Sequence, residues 1–113
     1  MGDRVSIQFV NGSEKSVVLF SHWGGRSFVE GTYLYLAQLR RISKEHEMIE
    51  PLSRLDPSTV MVDYIRYLTK DMDAVWGDLY LGVDEKDGDN SDNGHFLIQL
   101  REPTILGDEE VEL

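Results

Sequence analysis

Apolar side chains alternate with polar ones over residues 4–10, where Ser6 and Gln8 separate Val5, Ile7 and Phe9. A two-residue period marks a strand with one face buried. Asn11 and Gly12 both tolerate positive φ, and the run Ser-Val-Val-Leu-Phe-Ser at 16–21 supplies a second strand, so a hairpin is predicted. The more continuous apolar run of that second strand predicts burial on both faces and a central place in the sheet.

The period then changes. Ser27 followed by Glu30 has the spacing of a capping box, which predicts a helix from about Phe28 to about Lys44. Phe28, Tyr35, Leu36, Leu39 and Ile42 form its apolar stripe, and Tyr33 and Leu34 widen it beyond that of an ordinary surface helix. Asp56 before Pro57 is a helix start, because the carboxylate caps and proline needs no donor at the first helical position. Met61, Tyr64, Ile65, Leu68 and Met72 then recur at helical spacing, predicting a helix over 57–71. Two further alternating runs follow, with Leu79, Leu81 and Val83 on one face of 78–83, and Phe96, Ile98 and Leu100 on one face of 95–101.

The expected fold is α+β in ββααββ order: a four-stranded, mainly antiparallel sheet with two helices packed on one face. Each flanking strand pair is expected to form a hairpin. Residues 1–104 make one domain on this reading, and 105–113 an acidic, fraying tail.

Composition changes the picture in one respect. The chain of 113 residues carries 21 Asp and Glu against 11 Lys and Arg, for a net charge of −10, but residues 1–70 hold nine basic and eight acidic side chains while 71–113 hold two and thirteen. The acidity concentrates at Asp84, Glu85, Asp87, Asp89 and Asp92, and again in the tail. A phosphate-tracking nucleic-acid binder would need a basic footprint, so no nucleic-acid partner is expected. Without cysteine there is no disulfide framework or thiolate chemistry. No apolar run is long enough to span a membrane and no signal core follows Met1, so the expectation is a cytoplasmic protein with no membrane partner.

The most distinctive stretch for chemistry is 22–27, His22, Trp23, Gly24, Gly25, Arg26 and Ser27, placed where a strand hands over to a helix. Backbone amides at such a junction can bind an anion, and Gly24 and Gly25 would let the backbone approach it. Arg26 can pair with a phosphate or carboxylate, Ser27 can share its hydroxyl, His22 can donate or transfer a proton, and Trp23 can stack on a planar group. The same glycines also suit a plain tight corner. Neither a Walker motif nor a dinucleotide fingerprint is present, and no cofactor is expected.

This strand-to-helix stretch resembles a motif of small uncharacterised phage and prokaryotic proteins that often read Tyr-x-His-Trp-Asp-Gly-Tyr-Pro. The resemblance covers roughly residues 18–36 and carries across His22, Trp23 and Gly25. Gly24 stands where those proteins have Asp, and Arg26 and Ser27 replace their Tyr-Pro, so any chemistry that depends on the Asp is not carried over. The resemblance implies no particular activity.

Asp87, Asp89 and Asp92 offer hard oxygen ligands for a cation, but the loop lacks the glycine and glutamate that an EF-hand needs. A solvated, mobile connection over 84–94 is the expectation. His22, His46 and His95 lack the spacing of a helical zinc pair, although the ends of the strands could bring His22 and His95 to one edge. Tyr33, Leu34, Tyr35 and Leu36 are consecutive on a helix and point around its whole circumference, so a homodimer through this helix is expected to cover what the sheet leaves bare.

The sequence favours a small acidic binding or protein-interaction module, with an anion-binding loop at 22–27. One alternative is a small enzyme acting on a phosphorylated or carboxylated molecule, with His22 as acid or base and Asp78 or Asp63 beside it. The other is a phage-type acidic inhibitor or DNA mimic.

Overall fold

The computed structural model describes residues 2–45, 55–70 and 78–101. The tail at 105–113, His46 and Met72 lie outside these residues. Six elements follow in chain order: β1 (Val5–Asn11), β2 (Glu14–Ser21), α1 (Gly25–Glu45), α2 (Pro57–Thr69), β3 (Leu79–Gly82) and β4 (His95–Gln99). They build an α+β structure with a four-stranded mixed sheet in the order β3-β2-β1-β4.

β1 and β2 pair antiparallel through the turn at Gly12, and the apolar β2 is central as its composition requires. Between Gln8 and Val10 the register slips, because Gln8 faces Val18 and Val10 faces Lys15, so β2 carries one extra residue. The Phe9 amide left without a ladder partner donates to Ser16 Oγ at 3.0 Å. The bulge brings Lys15 to the face shared by Gln8 and Val10.

The sheet is not mainly a pair of hairpins. β3 pairs antiparallel with β2 at one edge, while β4 pairs parallel with β1 at the other. β3 and β4 therefore run in the same direction at opposite edges, and parallel strands in one sheet cannot be joined by a tight turn. The connection 83–94 crosses the sheet instead, as a strap over β2 and β1.

Both helices pack on the face bearing Val5, Ile7, Phe9, Leu19 and Ile98. Asp56 caps α2, with its carboxylate accepting from the Thr59 amide at 3.0 Å and the Thr59 hydroxyl at 2.9 Å. Tyr64 is the centre of this core. Its ring meets Phe9 edge-on at 5.7 Å, and its hydroxyl bonds Thr32 Oγ1 of α1 at 2.7 Å, which satisfies a polar group that burial would otherwise penalise. Burial pushes the Tyr64 phenol up to about 12.

Helix α1 starts earlier than the Ser27–Glu30 spacing suggests. The Phe28 amide donates to the Gly24 carbonyl at 3.2 Å, so the helix begins at Gly25 and Ser27 is an exposed residue of its first turn. Tyr35, Leu36 and Leu39 enter the core, whereas Ile42 is exposed and Leu34 is 66% exposed. Two of the four side chains expected at a dimer interface, Tyr35 and Leu36, are thus consumed within the protomer. On β3 the alternation also reads differently: Leu79 reaches the core, but Leu81 and Val83 stand exposed beyond the helices. Tyr80, on the opposite face, stacks on Phe20 at 4.9 Å. Among the described residues no helix is long and apolar enough to cross a membrane.

Candidate functional site

The loop at 22–27 is braced by Asp3, ahead of β1, and Asp78, ahead of β3. Asp78, immediately before β3, accepts from the His22 amide through its carbonyl and from the Trp23 amide through Oδ1, both at 2.8 Å. The Gly24 amide donates to Ser21 Oγ at 2.9 Å and the Gly25 amide to the Asp3 carbonyl at 2.9 Å. Gly25 has φ +59° and lies against the Asp3 carboxylate, where a Cβ would collide, so both its conformation and its surroundings require glycine.

The four amides of residues 22–25 therefore all have acceptors within the chain. An anion cradle needs free amides, and here a carboxylate of the protein already occupies the Trp23 amide while a second lies against Gly25. Coulomb repulsion from Asp78 and Asp3 opposes another anion at that spot. The glycines serve the corner, and Arg26 and Ser27 project from the first turn of α1 as exposed side chains.

His22 is half-buried and meets the Trp23 ring edge-on at 4.3 Å. Asp78 reaches the loop, but its carboxylate accepts from the Trp23 amide and the Ser21 hydroxyl rather than from the His22 ring. Asp63, on α2, accepts from the Tyr35 hydroxyl at 2.7 Å and sits 3.6 Å from Arg66. Trp23 stands apart from this closed network, 57% exposed on a backbone fixed at both sides.

The strap forms a second constellation. Gly88 lies flat on the Phe20–Tyr80 stack, where a Cβ would come within 2.6 Å of Tyr80 and 2.8 Å of Phe20. The Asp89 amide donates to the Tyr80 hydroxyl at 2.9 Å. Arg4 pins the far end, with Nη1 on Asp89 at 2.7 Å and Nε on Asp92 at 2.9 Å. Asp87 Oδ2 accepts from the Val83 and Asp84 amides at 2.8 Å. The Ser91 amide holds the Asp89 carboxyl below its ordinary value, and the Arg4 side chain does the same for Asp92.

These bonds correct two expectations. The connection 84–94 is a crossover tied to the sheet rather than a hairpin turn, and the candidate cation ligands Asp87, Asp89 and Asp92 each accept from protein donors rather than facing one shared point. Among the described residues no group of three or more His, Asp or Glu is placed to hold a metal ion.

Beneath the strap lies a polar chain. Asn90 Nδ2 donates to Ser6 Oγ at 2.9 Å, Ser6 Oγ bonds His95 Nδ1 at 2.7 Å, His95 Nε2 faces Gln8 Oε1 at 3.3 Å, and Gln8 Nε2 donates to the Ser16 carbonyl at 2.8 Å. His95 thus bonds β1 rather than His22. A cleft of about 300 Å³ opens beside it, between strap residues 83–85 and Gln8, Lys15, His95 and Leu97. Ser6 is 0% exposed, so the Ser6–His95 pair cannot present a nucleophile to a substrate. Burial lowers the His95 pKa from the ordinary histidine value.

A second cleft, of about 410 Å³, runs along the end of α2 past Asp63, Arg66, Tyr67 and Lys70. Its basic side chains are engaged: Arg66 sits beside Asp63, and Lys70 Nζ is 5.2 Å from the centre of the Tyr67 ring.

Sequence reasoning missed Asp3, Arg4, Ser6 and Gln8. Ser6 and Gln8 sit at the polar positions of the β1 alternation, and no local signal announces that a distant segment buries them. Comparison with known proteins finds no matching family model, no similar curated protein and no similar solved structure.

Proposed function

We propose that this chain is a protein-interaction module whose contact residue is Trp23, presented on the braced loop 22–27. The observation that carries this reading is the contrast inside the loop: every amide from His22 to Gly25 is bonded within the chain, while the Trp23 indole is 57% exposed. A large aromatic on a pre-ordered backbone is the kind of anchor on which binding energy concentrates, because little conformational freedom remains to be lost on association. Arg26 and Ser27, exposed beside it, supply a polar rim with donors for a carboxylate or carbonyl of the partner. The small-molecule anion site expected at these residues is not part of this reading, since the Asp78 carboxylate already takes the Trp23 amide. His22 acts here as a support for the Trp23 ring, not as an acid or base.

A peptide-display selection on the full chain, with enriched peptides measured by calorimetry against wild type and Trp23→Ala, tests the proposal. The expected result is a set of peptides whose affinity falls more than about tenfold in the variant. Equal affinity for the two proteins, or a selection that enriches nothing, refutes it.

A further inference from the structure

We infer that the strap over residues 83–94 is held down by a pH-sensitive latch, the hydrogen-bond chain Asn90–Ser6–His95–Gln8–Ser16, which closes around a neutral His95 and opens when that ring is protonated.

The polarity of the chain is set from its two ends. Gln8 spends its amide donor on the Ser16 carbonyl, so its oxygen faces His95 Nε2 and that nitrogen must carry the hydrogen. Asn90 Nδ2 donates one hydrogen to Ser6 Oγ and the other to the Glu85 carbonyl, which leaves the Ser6 hydroxyl hydrogen for His95 Nδ1. Each group then donates once along the chain, and the imidazole is neutral with Nδ1 as the acceptor. Protonation turns both ring nitrogens into donors. Ser6 Oγ would face two donors, Asn90 and His95, and its own hydrogen would have to turn away from the ring. Ser6 is wholly buried, so that hydrogen has no acceptor while the strap is closed, and release of Asn90 relieves the conflict by opening the site and letting water accept it.

The charged groups that face His95 are Asp84 and Glu85 on the strap and Lys15 on β2. The two carboxylates favour a protonated ring and Lys15 opposes it, while burial favours the neutral ring and is the largest influence. Release at Asn90 does not free the whole strap. The Arg4 contacts to Asp89 and Asp92 persist, because those carboxyls ionise at lower pH than ordinary ones. Asn90 Nδ2 also donates to the Glu85 carbonyl at 3.2 Å, so its release loosens the strap before Asp89, over the Phe20–Tyr80 stack, about a hinge fixed at Arg4.

Nitrogen-15 NMR of the full chain, titrated from about pH 7.5 to about pH 4.5, tests the latch. At neutral pH His95 is expected as the Nε2–H tautomer. The Asn90 side-chain amide and the Gly88 and Asp89 backbone amides are expected to shift with the midpoint of the His95 ring. His95→Gln should abolish this transition and His22→Gln should leave it. An Nδ1–H tautomer, strap resonances that ignore the ring, or a transition that survives His95→Gln would overturn the latch. Should His95→Gln not fold, Ser6→Ala keeps the ring but removes the donor to Nδ1, so the His95 midpoint should rise, and an unchanged or lower midpoint also refutes the inference.

Discussion

The two faces of the sheet are both buried, but by different means. On the helix side Val5, Ile7, Phe9, Leu19 and Ile98 meet apolar side chains of α1 and α2, and burial there is a matter of shape and area. On the strap side Ser6, Gln8, Val10, Ser16, Val18 and Phe20 are just as closed to solvent. That face mixes apolar with polar groups, and its cover is an irregular segment held by named hydrogen bonds. A core covered by helices tolerates breathing, whereas a core covered by a loop depends on a few contacts at fixed points. The helix side should therefore govern global stability, and the strap side local opening.

The largest effect should follow from emptying the helix side. Phe9→Ala removes a ring packed on Tyr64 and should cost about 3–5 kcal/mol, read as a fall in the urea midpoint with an unchanged slope. A cost near that of a surface substitution would show that the helix side is not the dominant core. Next comes Gly88→Ala. Its Cβ would sit 2.6 Å from Tyr80 and 2.8 Å from Phe20, so the ring stack or the strap must shift, and a cost of about 1–3 kcal/mol is expected. Its mark should be faster amide exchange at Asp89, whose partner is the Tyr80 hydroxyl, with protection in β1 retained. Uniform loss of protection would mean that the strap and the helix side unfold as one unit.

The same contrast explains what could be read from the residues alone. The helix side was legible because it is written in local periods: β1 alternation, the apolar run of β2, and the Asp56–Pro57 start of α2. The α+β class and two helices on one face follow from those. The strap side was not legible, since its ties join residues 85 and 88 positions apart, Arg4 to Asp89 and to Asp92. Polar residues at alternate positions of a strand normally mean solvent, and only the path of the 83–94 crossover makes Ser6 and Gln8 interior. The parallel placement of β4 was hidden for the same reason. In the candidate loop the residue types mark a strand-to-helix corner, but the acceptors that fill the His22, Trp23 and Gly25 amides, Asp78 and the Asp3 carbonyl, come from segments that no spacing rule connects to them.

A smaller effect should separate the faces by pH. Burial lowers the folded-state pKa of His95, so between that value and the unfolded value of about 6.5 the unfolded chain binds more protons. The stability His95 contributes is thus complete above about pH 6.5 and is lost as pH falls through the folded value. Asp89 and Asp92 are shifted down too, but they are acids whose contribution is present above the ordinary carboxylate value near 3.9 and fades below it. Denaturant midpoints measured against pH should therefore fall in two separate steps, with Gln in place of His95 removing only the upper one. A single step at carboxylate pH would mean that His95 carries no share of the pH-dependent hold on the strap.

The smallest effect on stability should come from a residue that belongs to neither face. Trp23 contributes its amide to Asp78 and its indole to solvent, and replacement by alanine keeps the first and loses the second. The backbone brace of the loop is unchanged, because none of its bonds uses the side chain. What the fold loses is the edge-on contact with the His22 ring, at 4.3 Å between ring centres, in a partly solvated setting. Trp23→Ala should thus shift stability by no more than about 0.5 kcal/mol, a change in melting temperature of a few degrees at most. Breaking the brace instead, with Asp78→Ala, leaves the Trp23 amide without its acceptor and should cost more although a smaller side chain is removed. If Trp23→Ala proved the more damaging of the two, the indole would be a structural element of the corner, and its exposure would no longer mark a surface kept for a partner.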